Sequence, residues 1–403
     1  MTEFGPRSRI VVVGGSIAGL TAVRGLRAAG FQGTVTVVDR DPLSPYRRPE
    51  VSKRLLTEQI RGRTRLTWPA ELRAELLVPG RVEALDLSRR TIALDGRSAS
   101  ATVPFDGLVV ASGARARRLP LAGGNDNVYW LRGASDAARL RAALADCRRI
   151  CVVGGGLIGL EVAALAVSLG KRAVVAAAAR LPMLAVLGAE PAAAQLRMLE
   201  ARGVEFRLGV AVADIGGSAG RLPSVWLASG EEIAADVVLV AVGAVPETEW
   251  LDGNGLDLVN GVRCDEHCAV IGAAGVVACG DVASWFNPLL RRQMRVEHWT
   301  NAIEQGEYAA RRLLGLHPPT GFASLPYFWS DQGDLKLQML GSSEGHDEVV
   351  VLESTAERLV AEYRSAGSLL AVAGINAGAA VMSRGPEISR AYQQRSIADT
   401  ALT

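Results

Sequence analysis

Two stretches of this chain repeat one pattern 140 residues apart, RIVVVGGSIAGL at 9–20 and RICVVGGGLIGL at 149–160. Each runs from a short apolar β-type segment (Ile10 to Val13, Ile150 to Val153) through a glycine turn into a helical apolar stretch. That order is the strand–turn–helix start of a dinucleotide-binding βαβ unit. Gly14 and Gly154 would supply the tight turn, and Gly19 and Gly159 the close packing of helix on strand. Gly156 occupies the place where bare backbone admits a pyrophosphate, and Ser16 takes that place in the first copy. One such motif in a glycine-rich chain says little. Two, each flanked by strand and helix, predict two Rossmann-like domains, each with a helix N-terminus suited to a pyrophosphate.

The first copy continues to a second strand, Thr34 to Val38, ending at Asp39, an acid placed to accept both hydroxyls of an adenosine ribose. The segment FDGLVVASGARARRLP passes from strand to the small-residue turn Ala111-Ser112-Gly113, and Asp236 to Leu251 forms the matching exit from the second unit. GVVACGDVA sets Asp281 after a buried strand and Gly280, at the expected start of a helix, where it serves either a flavin or simply the helix as N-cap. From about Gly321, alternating segments (LKLQML, EVVVLE, LVAEYR, LLAVAGI) predict a small sheet.

Composition narrows the function classes. With 44 basic against 42 acidic side chains the net charge is +2, so bulk attraction to nucleic acid is not indicated. The longest apolar stretch, Ile150 to Gly170, is broken by glycines and Glu161 and reads as strand, turn and helix rather than a membrane span. The N-terminal MTEFGPRSR lacks an apolar signal region, and five cysteines suit a reducing compartment, so a cytoplasmic location is expected. A disulfide reductase of this architecture needs CxxC or CxxxxC beside the flavin. The segment after Asp39 holds no cysteine, and Cys264 and Cys268, before the Asp281 segment, are in neither redox position, so all five, with Cys147, Cys151 and Cys279, read as structural.

Taken with SPYRRPEVSK (44–53), GGGLIGLE (154–161), ACGDVASWFNPLLRRQMRVEHWTNAIEQG (278–306) and LPYFWSDQGDLKLQMLG (325–341), these motifs resemble the FAD-dependent ferredoxin and rubredoxin reductases over nearly the whole chain. The resemblance implies an α/β fold of two Rossmann-like domains plus a small α+β C-terminal domain: 1–115 with 246–320 for FAD, 116–245 for NAD(P), and 321–403 as the interface domain. It implies FAD contacts from Gly14, Ser16, Ala18, Gly19, Asp39, Arg40, Arg48, Lys53, Val82, Ala111, Ser112, Gly113, Arg117, Gly280, Asp281, Glu297, His298 and Trp299. Pro49 also matches that family's flavin-side segment, while Glu50 and Val51 depart from it. NAD(P) would be held by Gly154, Gly156, Leu157, Ile158, Gly159, Arg180 and Gly243. Lys53, Glu161, Glu297 and Trp329 would carry the chemistry. A lysine by a flavin stabilises the negative charge gained on reduction, and Glu161 keeps that cation from being buried alone. Lys53 is one of only three lysines, with Lys171 and Lys336.

The likeness breaks at the second unit. After LGKRAVV an acid should meet the NADH ribose, and the chain reads Ala176-Ala177-Ala178-Ala179-Arg180. Arg180 or Arg172 could instead meet a 2′-phosphate, so NADH and NADPH both stay open. Expected partners are NAD(P)H and an acidic ferredoxin-type iron–sulfur protein serving a cytochrome P450 or oxygenase, steered by Arg47-Arg48 and Arg291-Arg292. No nucleic acid or membrane is expected, and the chain would be a monomer or homodimer. The alternative is a flavin oxidase or dehydrogenase acting directly on a small molecule after losing its nicotinamide partner.

Overall fold

In the computed structural model the strand–turn–helix starts read from the sequence become two parallel sheets of five strands each. Residues 4–95, 102–120, 126–216 and 223–400 are described; Met1–Glu3 of the N-terminal segment lie outside them. The chain divides into two units, one of residues 1–47, 61–115 and 245–326, the other of 48–60, 116–244 and 327–403.

In the first unit the parallel strands lie in the order Val276–Ala278, Gly107–Val110, Arg9–Val13, Thr34–Val38, Ala74–Leu77. Their side chains are apolar on both faces (Ile10, Val12, Val35, Val37, Leu108 and Val109 are fully buried), as a doubly covered parallel sheet requires. The helix Ile17–Ala28 follows the first strand and packs on a second helix, Trp299–Leu313. An antiparallel sheet of Val82–Asp86, Thr91–Leu94 and Thr102–Pro104 is also part of this unit.

The second unit repeats the plan with Glu205–Leu208, Arg172–Ala177, Arg149–Val153, Val237–Val240 and Val128–Trp130. In both sheets the strand that feeds the glycine turn is central, with the chain's next strand beside it. The helix after the turn, Leu157–Ser168, is apolar almost all round because it is enclosed. The same unit carries the predicted C-terminal sheet, antiparallel in the order Tyr327–Gln332, Leu335–Gly341, Ser368–Ile375, Leu359–Ser365, Glu348–Ser354. The helix Gly385–Thr400 follows it.

The segment after Gly280 differs from expectation. Gly280–Val282 is a single 3-10 turn that runs into the strand Ala283–Asn287, and the helix begins only at Trp299. The run ASWFN alternates toward a partner strand, Arg292–Met294, and that pairing outweighs helix formation. Asp281 therefore caps no helix. Among the described residues no helix is long and apolar enough to cross a membrane.

Candidate functional site: two dinucleotide turns and a buried carboxylate

The first turn is built by backbone that tolerates no side chain. Gly14 has φ +111°, and a Cβ there would lie 2.1 Å from the Ala111 carbonyl oxygen; one on Gly19 would lie 1.9 Å from the Gly14 oxygen. The helix and strand are thus pressed together, with Ala18 buried beneath them. Ser16 is the extended N-cap residue, and its hydroxyl does not close the helix N-terminus. The first N–H groups of such a helix have no partner inside it. At the end of Thr34–Val38, the Asp39 carboxylate accepts from the Gly15 N–H at 2.7 Å and the Asp41 N–H at 2.9 Å. Those two bonds fix Asp39 beside the turn and leave further lone pairs for hydroxyl donors. A glycine cradle, a helix N-terminus and an aimed carboxylate fit the ADP half of FAD.

Around this turn, Ser112 donates to the Glu247 carbonyl at 2.8 Å, and the Gly113 carbonyl accepts the Glu247 N–H at 2.9 Å. Arg40 pairs with the Glu247 carboxylate at 2.6 Å. Val82 opens the adjacent antiparallel sheet. The Gly280 N–H donates to Gln305 Oε1 at 2.9 Å. Arg295 donates to the Asp281 carbonyl and to Glu297, each at 2.9 Å, so Asp281 and Glu297 are held on one guanidinium at the helix start where His298 is N-cap and Trp299 is first.

His298 is enclosed, and burial pulls its pKa from 6.5 down to about 4, opposed only in part by Asp281. The native imidazole therefore stays neutral where the unfolded chain takes up a proton. Its contribution to stability is complete above about pH 6.5 and is lost as pH falls toward 4, for a total of about 3 kcal/mol. Urea unfolding at pH 7 and pH 5 should show the loss in the native protein and a flatter profile in His298→Asn. Equal slopes in the two proteins would discount the burial effect.

The second turn repeats the first. Gly154 has φ +116° with its Cβ position 2.3 Å from the Ala241 oxygen, and that of Gly159 lies 2.3 Å from the Gly154 oxygen. A Cβ on Gly156, by contrast, would meet nothing within 4 Å. Leu157 and Ile158 begin the helix. The Gly243 carbonyl accepts the Arg117 N–H at 2.9 Å. Arg180 lies exposed beyond Arg172–Ala177. Arg172 does not belong with it: it stands at the opposite end of that strand, where it pairs with both oxygens of Glu205. The alternative of Arg172 as a 2′-phosphate ligand is thereby removed, because a parallel strand presents its nucleotide at its C-terminal end.

Also in the second unit, Glu161 is 4% exposed on the helix Leu157–Ser168 and carries four donors. Lys53 Nζ lies at 2.8 Å, Ser52 Oγ at 2.5 Å, Ser330 Oγ at 2.7 Å and the Asp331 N–H at 3.1 Å. Lys53 also donates to the Pro49 carbonyl at 3.1 Å, with Asp331 at 3.9 Å. The network extends inward: Gln332 donates to Ser330 at 3.2 Å and Gln195 to Gln332 at 2.9 Å. Trp329, on the other face of that strand, stacks on Tyr327 with ring centroids 6.1 Å apart. Arg48 donates to the Arg132 carbonyl at 3.1 Å. Sequence reasoning paired Lys53 with Glu161 but missed Ser52, Ser330, Gln332 and Gln195. The available signal was Ser330 and Gln332, two polar residues at strand spacing opposite the aromatic face.

All five cysteines are free and buried. Burial pushes the thiols of Cys151 and Cys279 to about 12, and those of Cys264 and Cys268 higher, so none is poised as a thiolate.

Two Rossmann-type sheets, each with its glycine turn, and an ion-paired lysine without a redox cysteine pair define a two-dinucleotide oxidoreductase. The chain belongs to the pyridine nucleotide-disulphide oxidoreductase family, whose model matches residues 8–306, and residues 327–401 match the reductase C-terminal family. It is 35% identical to rubredoxin-NAD(+) reductase of Ectopseudomonas oleovorans over 88% of this chain and 92% of that one. It is 32% identical to putidaredoxin reductase CamA of Pseudomonas putida, covering 86% and 83%. The structure of the covalent putidaredoxin reductase–putidaredoxin complex matches with a TM-score of 0.89 at 30% identity, over 96% and 94% of the two chains.

Proposed function

We propose that this oxidoreductase carries electrons from a nicotinamide dinucleotide, through FAD, to a ferredoxin- or rubredoxin-type iron–sulfur protein in the cytoplasm. The relatives are named as reductases of rubredoxin and putidaredoxin, and their alignments to the present chain span 92% and 83% of their own lengths. The observation that carries the reading is the Lys53–Glu161 pair, whose carboxylate accepts from three further donors, in a chain whose thiols are all buried.

FAD supplies two-electron exchange with the nicotinamide and one-electron exchange with the iron–sulfur partner. On this reading Gly14, Ser16 and Gly19 seat its pyrophosphate and Asp39 accepts from its ribose, and the resemblance implies further contacts from Ala18, Arg40, Val82, Ala111 to Gly113, Arg117, Gly280 and Asp281. Lys53 offers a cation to the negative charge of the reduced state, and Glu161 holds that cation in one position. The resemblance also implies roles in the reaction for Glu297, His298 and Trp299, at a helix start, and for Trp329. Gly154, Gly156, Leu157, Ile158, Gly159 and Gly243 receive the coenzyme. Arg291, the last residue of a turn, and Arg292, the first of the strand Arg292–Met294, steer an acidic partner into a small transient contact, so electron transfer to it slows as salt rises.

Anaerobic titration with NADH and with NADPH, followed by flavin absorbance, tests the reading. Bleaching by at least one coenzyme, and onward reduction of an iron–sulfur protein at a salt-dependent rate, is the expected result. No bleaching by either at millimolar concentration would overturn it.

A further inference from the structure

The chain contains its own control for the second nucleotide site. The Gly14 N–H donates to the Val38 carbonyl and the Gly154 N–H to the Ala176 carbonyl, each at 2.8 Å, so Ala177 stands where Asp39 stands in the first unit. What faces the following glycine differs accordingly. A Cβ on Gly15 would lie 2.9 Å from the Asp39 carboxylate; one on Gly155 would lie 3.4 Å from Pro182 Cα and 3.6 Å from Ala177 Cβ. An acid in this place accepts the ribose hydroxyls and repels a 2′-phosphate. Ala177 does neither, and no carboxylate occurs between Lys171 and Glu190.

Between Ala177 and Pro182 the chain bends outward, exposing Ala178, Ala179 and Arg180. No hydrogen bond or ion pair joins Arg180 to another described residue. Its neighbours in type are committed: Arg172 to Glu205, and Arg207, on the next strand, to Glu231 at 2.6 Å. A lone guanidinium three residues past the ribose position has the fork that a phosphate dianion binds best.

We propose that the second site selects the 2′-phosphorylated coenzyme, with Arg180 as its specificity-determining residue. The proposal rests on the reading of the second unit as the coenzyme site. Calorimetric titration of the FAD-loaded protein with 2′,5′-ADP and with 5′-ADP tests it without turnover. The phosphorylated nucleotide should bind at least about tenfold tighter. Arg180→Ala should erase that margin while 5′-ADP binding stays within about twofold, which also shows that the variant is folded. Ala177→Asp should reverse the preference. Equal affinity for the two nucleotides in the native protein, or a margin that survives Arg180→Ala, overturns the proposal even where NADH bleaches the flavin normally. Failure of the underlying reading looks different: neither nucleotide binds, and neither NADH nor NADPH bleaches the flavin.

Discussion

Replacing Lys53 with methionine is expected to destabilise the protein by about 3 kcal/mol, because it strips the cation from a carboxylate that is only 4% exposed. The figure sits at the low end for a broken buried pair: Lys53 keeps 16% of its side chain exposed, and Ser52, Ser330 and the Asp331 N–H still donate to Glu161. Lys53→Met with Glu161→Gln should recover most of that loss, since the neutral amide leaves no buried charge unmatched. Stability and catalysis then separate. On the proposed role of Lys53, the double variant stays slow in flavin reduction, by on the order of a hundredfold, although it is nearly as stable as the parent. Urea unfolding and stopped-flow reduction of the FAD-loaded variants measure the two effects. A single variant as stable as the parent would discount the buried pair, and a double variant of parental rate would remove Lys53 from the chemistry.

The second large effect distinguishes two glycines of one motif. Gly154→Ala puts a Cβ 2.3 Å from the Ala241 oxygen at φ +116°, and should cost about 2 kcal/mol or more through clash and backbone strain. Gly156→Ala meets nothing within 4 Å, so the fold should lose under about 1 kcal/mol, the ordinary penalty for alanine at an N-cap. Coenzyme affinity should nonetheless fall about ten- to a hundredfold, because the methyl occupies space kept for the pyrophosphate. Thermal melting and coenzyme titration read the two outcomes. Unchanged coenzyme binding in Gly156→Ala would show that the open space serves something other than a dinucleotide.

The Rossmann repeat was legible because its constraints are local. Strand, glycine turn and helix occupy about twenty consecutive residues, and the turn and packing glycines are required by atoms a few positions away or by the strand beside them. Gly19 and Gly159 answer to Gly14 and Gly154. The C-terminal strands were legible as short apolar runs, although Leu335–Gly341, Leu359–Ser365 and Ser368–Ile375 are buried almost throughout. Where local preference competed with a distant partner, the sequence misled. The run after Asp281 looked like a helix start but pairs as a strand with Arg292–Met294.

Read as letters, the chain already carried two dinucleotide folds, the acid at Asp39, the lack of one in the alanine run, and the absence of a redox cysteine pair. Which groups meet was set by packing in three dimensions. Ser330 lies 169 residues from Glu161 yet donates to it, and Gln195 lies 137 residues from Gln332. Nothing in a linear pattern reports such pairs, because a buried carboxylate is satisfied by whatever donors the packing brings to it, from any part of the chain. The same holds for the arginines. Arg172 and Arg180 are equivalent as letters, but one end of a parallel strand ties the first to Glu205 while the other leaves the second exposed at the end where nucleotides bind.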